Sequence, residues 1–179
     1  MNSFLQSWLR VDSPGWRQLL LFKAGWFGLV LQPKYSAAVV LLVLLWLLMQ
    51  LKPAQRLALL TLWGSGLLLD TLLLVGGVFQ FDSVWLPFWL VLLWGWFSLF
   101  WLLVFSPFLQ RSLGVALFGL IGGPMAYWGG AQLSHSLQIM VEAEFWLILA
   151  PAWAALLLWA RQAERWWWLR LKGGVDAHV

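Results

Sequence analysis

The sequence has no cysteine, which excludes disulfides, thiolate metal sites, cysteine nucleophiles and palmitoyl anchors. Charge is scarce as well: 10% of the 179 residues are Asp, Glu, Lys or Arg, where an ordinary globular chain carries about a quarter. Also missing are a Walker loop, a Gly-x-Ser-x-Gly elbow, a His-rich cluster, paired carboxylates in one apolar run and a ladder of arginines. What is plentiful is apolar surface, 63% of the chain, and Trp, 17 residues. A soluble fold cannot hide so much apolar surface. A soluble enzyme, a disordered tail and a free nucleic-acid binder are therefore excluded. Trp favours the membrane–water boundary because its ring is apolar and its N–H polar. The class is an integral membrane protein of the all-α kind, and the length leaves room for a single domain over 1–179.

A spanning helix needs about 20 mostly apolar residues, and six such runs are bounded by Pro, Gly or charge. They cover 19–32, 35–51, 56–79, 86–105, 113–133 and 145–160. Before them, Phe4, Leu5, Trp8 and Leu9 recur at helical spacing opposite Ser3, Gln6, Ser7 and Arg10. This predicts a short amphipathic helix in the interface rather than a cleavable signal, since no basic n-region precedes it and no small-residue cleavage site follows. After the sixth run, Arg161, Arg165, Arg170 and Lys172 stand beside Trp166-Trp167-Trp168. Their pattern predicts a basic interfacial helix whose cations contact anionic headgroups.

With six spans, one side collects Arg10, Arg17, Lys23, Lys52, Arg56, Arg111, Arg161, Arg165, Arg170 and Lys172, and the other only Lys34. By the positive-inside rule both termini are expected in the cytoplasm, with the anionic inner leaflet as partner and no nucleic acid. Lys23, one turn inside its run, is expected to snorkel to the headgroups. Glycine is also unevenly spread. The first, third and fifth runs are Gly-rich, and Gly119, Gly123, Ala126 and Gly130 share one face of the fifth. Small residues let helices approach closely in lipid. The odd helices are therefore predicted to pack centrally, with the Leu- and Trp-rich even helices as the lipid-facing wall.

Asp70 is the sharpest chemical feature, since a carboxylate inside a membrane costs several kcal/mol unless it is paired or neutralised. Tyr127 is a partner at equal depth, each lying about 21 Å along its run at 1.5 Å per residue. Pro124, next to Gly123, frees the Leu120 carbonyl and either joins a polar pocket there or only shapes the bundle. For Asp70 two readings stay open, a functional group or a hydrogen-bonded carboxyl acting as structural glue. His135, Glu142 and Glu144 make a poor metal set beside the tighter His and Cys groups of zinc sites and read as solvated loop residues. No metal or cofactor is expected.

From Phe22 to Leu133 the chain resembles the bacterial domain-of-unknown-function family 2878 of small inner-membrane proteins. The resemblance is carried by Trp26-Phe27, by Gly66 to Asp70 with Gly77 and Phe79, by Pro87, Trp89, Leu93-Trp94 and Phe97, and by Gly123-Pro124 with Tyr127 and Gly130. It supplies no activity and no catalytic residues. It implies a place in the bacterial inner membrane. Neighbouring genes resembling cyclopropane-fatty-acid synthases and flavin oxidases imply a role around lipid modification. The leading expectation is an accessory or scaffold protein that binds lipid or holds a peripheral lipid-modifying enzyme, and the balance is against an enzyme. The alternatives are an intramembrane enzyme acting on a lipid or isoprenoid through Asp70 and Tyr127, and a small proton- or cation-coupled transporter using Asp70.

Overall fold

The computed structural model describes residues 16–134, 137–140 and 142–173. Among these described residues six helices follow one another: α1 (Trp16–Leu31), α2 (Pro33–Gln50), α3 (Pro53–Val75), α4 (Phe88–Phe108), α5 (Ser112–Leu133) and α6 (Glu142–Gly173). Prolines open α2 and α3, where the missing N–H would find no helical partner anyway. Within α4 the residues Trp101–Phe105 form one π-helical turn. The expected amphipathic helix at Phe4–Arg10 and His135 lie outside the described residues.

Five of these helices, α2 to α6, are long and apolar enough to cross a membrane. The sixth, α1, has 16 residues, about 24 Å at the helical rise, short of the roughly 30 Å hydrocarbon core. The six apolar runs thus become six bundle helices, of which five meet the length of a span.

The layering differs from the Gly-based expectation. In α4, 78% of the best apolar window is buried, against 17% in α2 and 33% in α3, α5 and α6. An even helix is therefore the central one, packed against α1, α2 and α3, while α6 lies against α3 and α5. The physical reason is in the glycines themselves. A Cβ on Gly25 would overlap the Trp96 ring, one on Gly66 the Trp94 ring, and one on Gly123 the Trp153 ring. The small residues of the odd helices are notches, and the indoles of α4 and α6 fill them. Trp96 and Trp101, among the largest side chains that are fully buried, belong to the core and not to a lipid-facing wall.

Indole N–H groups also tie the helices together. Trp63 Nε1 donates to the Val91 carbonyl at 2.8 Å, Trp96 Nε1 to Phe22 at 3.1 Å and Trp167 Nε1 to Thr61 Oγ1 at 3.0 Å. In lipid, such bonds and close packing hold helices together where hydrophobicity cannot.

Two connections were not foreseen. The third run was expected to continue to Phe79, but α3 stops at Val75. Gly77 takes φ 72°, Val78 N donates to Leu73 O and Gly77 N to Leu74 O, a Schellman stop that needs the left-handed freedom of glycine. The chain then enters β1 (Phe79–Phe81), which pairs antiparallel with β2 (Leu137–Ile139) in the register Phe79↔Ile139, Gln80↔Gln138 and Phe81↔Leu137. This ladder joins the α3–α4 and α5–α6 connections at the end of the bundle that carries Lys34, away from the other basic residues.

At the basic end, two arginines close helix ends. Arg56 donates to Leu51 O at 2.9 Å and Met49 O at 2.8 Å, and Arg161 donates to the carbonyls of Leu109 and Gln110. Each cation meets the orphan carbonyls and partial negative charge at the C-terminus of an adjacent helix. Glu164 accepts from Ser106 Oγ at 2.7 Å, one turn further along α6. The separate basic interfacial helix expected after Ala160 is instead the continuation of α6, whose 32 residues reach about 48 Å. No Gly or Pro interrupts 152–172, so nothing breaks the helix there. Arg161→Ala is expected to cost about 1–3 kcal/mol, the range for losing hydrogen bonds to a charged group. The exposed Arg165→Ala should stay within about 0.5 kcal/mol. Thermal unfolding in detergent compares them, and equal losses would remove the capping role.

Candidate functional site

Asp70 lies on α3 four residues after Gly66, so both face the same side of the helix. Gly66 leaves the notch that seats the Trp94 indole, and that indole's N–H reaches the residue one turn on. Trp94 Nε1 donates to Asp70 Oδ2 at 2.6 Å. On α5 the spacing repeats, with Gly123 seating Trp153 and Tyr127 four residues later. Tyr127 Oη donates to Asp70 Oδ1 at 2.5 Å. The expected Asp70–Tyr127 pair is therefore present, and each carboxyl oxygen has its own donor. Asp70 is 0% exposed and Tyr127 7%.

The two seated indoles meet face to face: Trp94 and Trp153 stack with ring centroids 4.9 Å apart at 18°. Phe97 stands edge-on to both, at 5.8 Å from Trp94 and 5.2 Å from Trp153. Tyr127 is stacked on Phe79 of β1 at 5.6 Å, so the strand ladder helps to fix the phenol. One layer thus joins α3, α4, α5 and α6 through a polar centre and an aromatic stack. Trp153 Nε1, with Trp101 Nε1 and Ser98 Oγ, is buried and finds no hydrogen-bond partner among the described residues.

Beside this layer a cavity of about 470 Å³ opens between α1, α4 and α5, within the roughly 300–1,000 Å³ of small-ligand pockets. Trp94, Tyr127 and Trp153 form part of its wall, and Lys23 is its one charged lining residue. Asp70 is not among the lining residues, so the carboxyl stands behind the Trp94 and Tyr127 that it holds. The remaining wall is built of aliphatic, aromatic and Gly residues.

Of the other expected site residues, Lys23 lines the cavity and the rest fall elsewhere. Gly123 and Pro124 are buried in α5, which continues through Pro124 to Leu133. The carboxyl's two bonds come from side chains, so the Leu120 carbonyl is not part of the Asp70 cluster. Lys23 is exposed, two turns along α1, with Nζ 5.9 Å from the Trp26 ring. Arg161 is half-buried on its carbonyl partners, whereas Arg165 and Arg170 are exposed and Arg170 lies 4.8 Å over Trp166. The side chains of Lys172 and Glu142 lie outside the described residues, and Glu144 is exposed. Among the described residues no group of three His, Cys, Asp or Glu could hold a metal ion.

By sequence the deep Trp residues, Trp94 and Trp153 among them, read as bulk around the Gly-rich centre or as acyl-chain contacts. The first holds at Gly66 and Gly123, but the part of Trp94 and Trp153 in the Asp70 layer is not in that reading. Two signals pointed to them: the repeated Gly-x-x-x-polar spacing at Gly66/Asp70 and Gly123/Tyr127, and indole N–H groups too deep to reach water.

Residues 15–159 match the model of a family described as "Protein of unknown function (DUF2878)", a wider stretch than the resemblance over 22–133. No curated protein and no solved structure matches the chain.

Proposed function

The chain belongs to the DUF2878 family, and we propose that it is an accessory membrane protein that binds a lipid in the cavity between α1, α4 and α5. One observation carries this reading: an apolar cavity of about 470 Å³ whose wall is fixed by the Asp70–Trp94–Tyr127 cluster. A hydrogen-bonded carboxyl behind two wall residues holds them in place without presenting charge to an apolar ligand. Asp70 is then a positioning residue. The exposed Arg165 and Arg170, with Trp166 and Trp168 beside them, support contact with anionic headgroups. The same surface suits a peripheral lipid-modifying enzyme. In this reading the protein sits in a bacterial inner membrane with both termini in the cytoplasm.

Gly129 provides the test, because a Cβ there meets only Trp26, at 4.0 Å, and Gly129 lines the cavity. Gly129→Leu is expected to fill the cavity while leaving the fold intact. Mass spectrometry of protein released from mild detergent should find about one bound lipid in the wild type, as one pocket takes one ligand, and little or none in the variant. A wild type free of lipid, or equal occupancy in both, would sink the reading.

A second reading, an intramembrane enzyme, is favoured by one observation. The Tyr127 phenol lies in the cavity wall with its oxygen on Asp70, a geometry suited to relaying a proton. It requires the lipidome of a deletion strain to change and Tyr127→Phe to reproduce that change at normal folded yield. An unaltered lipidome removes it.

A further inference from the structure

We infer that the cavity takes a single long acyl chain ending in an anionic group, a carboxylate or a phosphate monoester, with Lys23 as its counter-ion. This rests on the lipid-pocket reading above and adds the class of ligand. Lys23 is the one charged residue in the cavity wall, and among the described residues no carboxylate pairs with it. An ammonium on an otherwise uncharged wall is a specificity element, since it is the one charge there that can stabilise an anion. Arg17, which has its own interaction, does not line the cavity.

The shape fixes which end is polar. On α1 the lining runs from Leu19 to Val30 and on α5 from Phe118 to Leu133, spans of about 16 Å and 22 Å at the helical rise. The cavity is therefore long as well as apolar. Lys23 stands near the Leu19 end. The opposite end is lined by Val30, Leu133 and Leu137 of β2, with no charge to receive a head. An amphiphile must enter with its anion at Lys23 and its chain running toward the strand ladder.

Four indoles, Trp26, Trp89, Trp94 and Trp153, line the cavity, so a brominated chain inside it quenches fluorescence that the remaining Trp residues do not lose. The probes are dibromostearate, its methyl ester and a dibrominated monoacyl phosphate, titrated into the full chain in detergent. Either anion is expected to bind about ten-fold more tightly than the ester, the effect of one charge-assisted contact. Lys23→Gln should bring the anions down to the level of the ester, and Lys23→Arg should keep them tight. The tighter of the two anions identifies the head as carboxylate or phosphate. Equal binding of anions and ester, or no effect of Lys23→Gln, overturns the inference while the pocket stands. Anion binding that depends on Lys23 but survives Gly129→Leu also overturns it, because the ligand then lies on the outer surface of α1. No quenching by any probe in the wild type removes the lipid pocket itself.

Discussion

Gly66→Ala and Gly123→Ala are each expected to destabilise the protein by about 1–3 kcal/mol, the usual cost of overpacking a tight core, while Gly64→Ala leaves it unchanged or slightly more stable. All three changes add the same methyl group to a helical glycine, and two of the three glycines lie on the same turn of α3. The difference is what the methyl meets. On Gly64 it finds nothing within 4 Å, on Gly66 it overlaps the Trp94 ring, and on Gly123 it overlaps the Trp153 ring. Each indole is braced by the other, since the two rings stack at 4.9 Å and are 2% and 5% exposed, so the only space left to them is the cavity they line, and moving into it breaks the stack. Propensity alone favours Ala over Gly by about 1 kcal/mol, so a loss at Gly66 and Gly123 isolates packing from helix formation. The double variant should cost more than the sum of the two, since each methyl pushes the stacked pair toward the other and blocks the shift that relieves it. Thermal unfolding in detergent measures all four proteins. Gly66→Ala matching Gly64→Ala would show that the notch is not needed.

The same notches explain how far the sequence could be read. Helix content, the apolar runs and the Asp70–Tyr127 pair follow from composition, period and depth, because lipid forces backbone polar groups into helices and makes an isolated carboxyl find donors. Which helix is central does not follow. A Gly-rich face marks close approach but not its partner, and the partner of Gly66 is a Trp in a run whose Leu and Trp content reads equally well as lipid-facing. The strand ladder was hidden for a different reason. Phe79 and Leu137 are each part of a three-residue strand, too short for an alternating pattern to stand out from the apolar helices around it. The continuous α6 was legible in principle: from Ala152 to Lys172 there is no helix breaker, and only the change from apolar to basic composition suggested a second element. Lys23 gained the most from three dimensions. Its chemistry was plain in the sequence, but the cavity it serves is made by α1, α4 and α5 together.

Asp70→Leu is expected to be the most damaging single change at the polar centre, with Asp70→Asn and Tyr127→Phe both milder. The carboxyl accepts one bond on each oxygen, from Trp94 Nε1 at 2.6 Å and Tyr127 Oη at 2.5 Å. Leu removes both acceptors at once and leaves an N–H and an O–H buried without partners, each costing about 1–3 kcal/mol. The total is about 2–6 kcal/mol, a large part of the margin of an ordinary domain. Asn keeps one oxygen for the indole. Its amide can donate to the phenol, since a hydroxyl is both donor and acceptor, so indole and phenol each keep one bond, while the hydroxyl hydrogen and the second amide hydrogen lack partners. Tyr127→Phe leaves Asp70 Oδ1 without its donor in a site that is 0% exposed, one orphaned acceptor against the two donors that Leu strands. Unfolding in detergent should therefore show a larger loss for Asp70→Leu than for either Asp70→Asn or Tyr127→Phe. Adding Tyr127→Phe to Asp70→Leu should return part of the stability, because it deletes one of the two stranded donors, and so the pair should fall short of additivity. Additive losses would mean that the two side chains do not depend on each other, and the cluster would lose its place as the support of the cavity wall. If instead Asp70→Asn folds as well as the wild type but no longer takes up dibromostearate, Asp70 acts through the orientation of Trp94 and Tyr127 rather than through stability. The pocket then depends on the carboxyl for its shape.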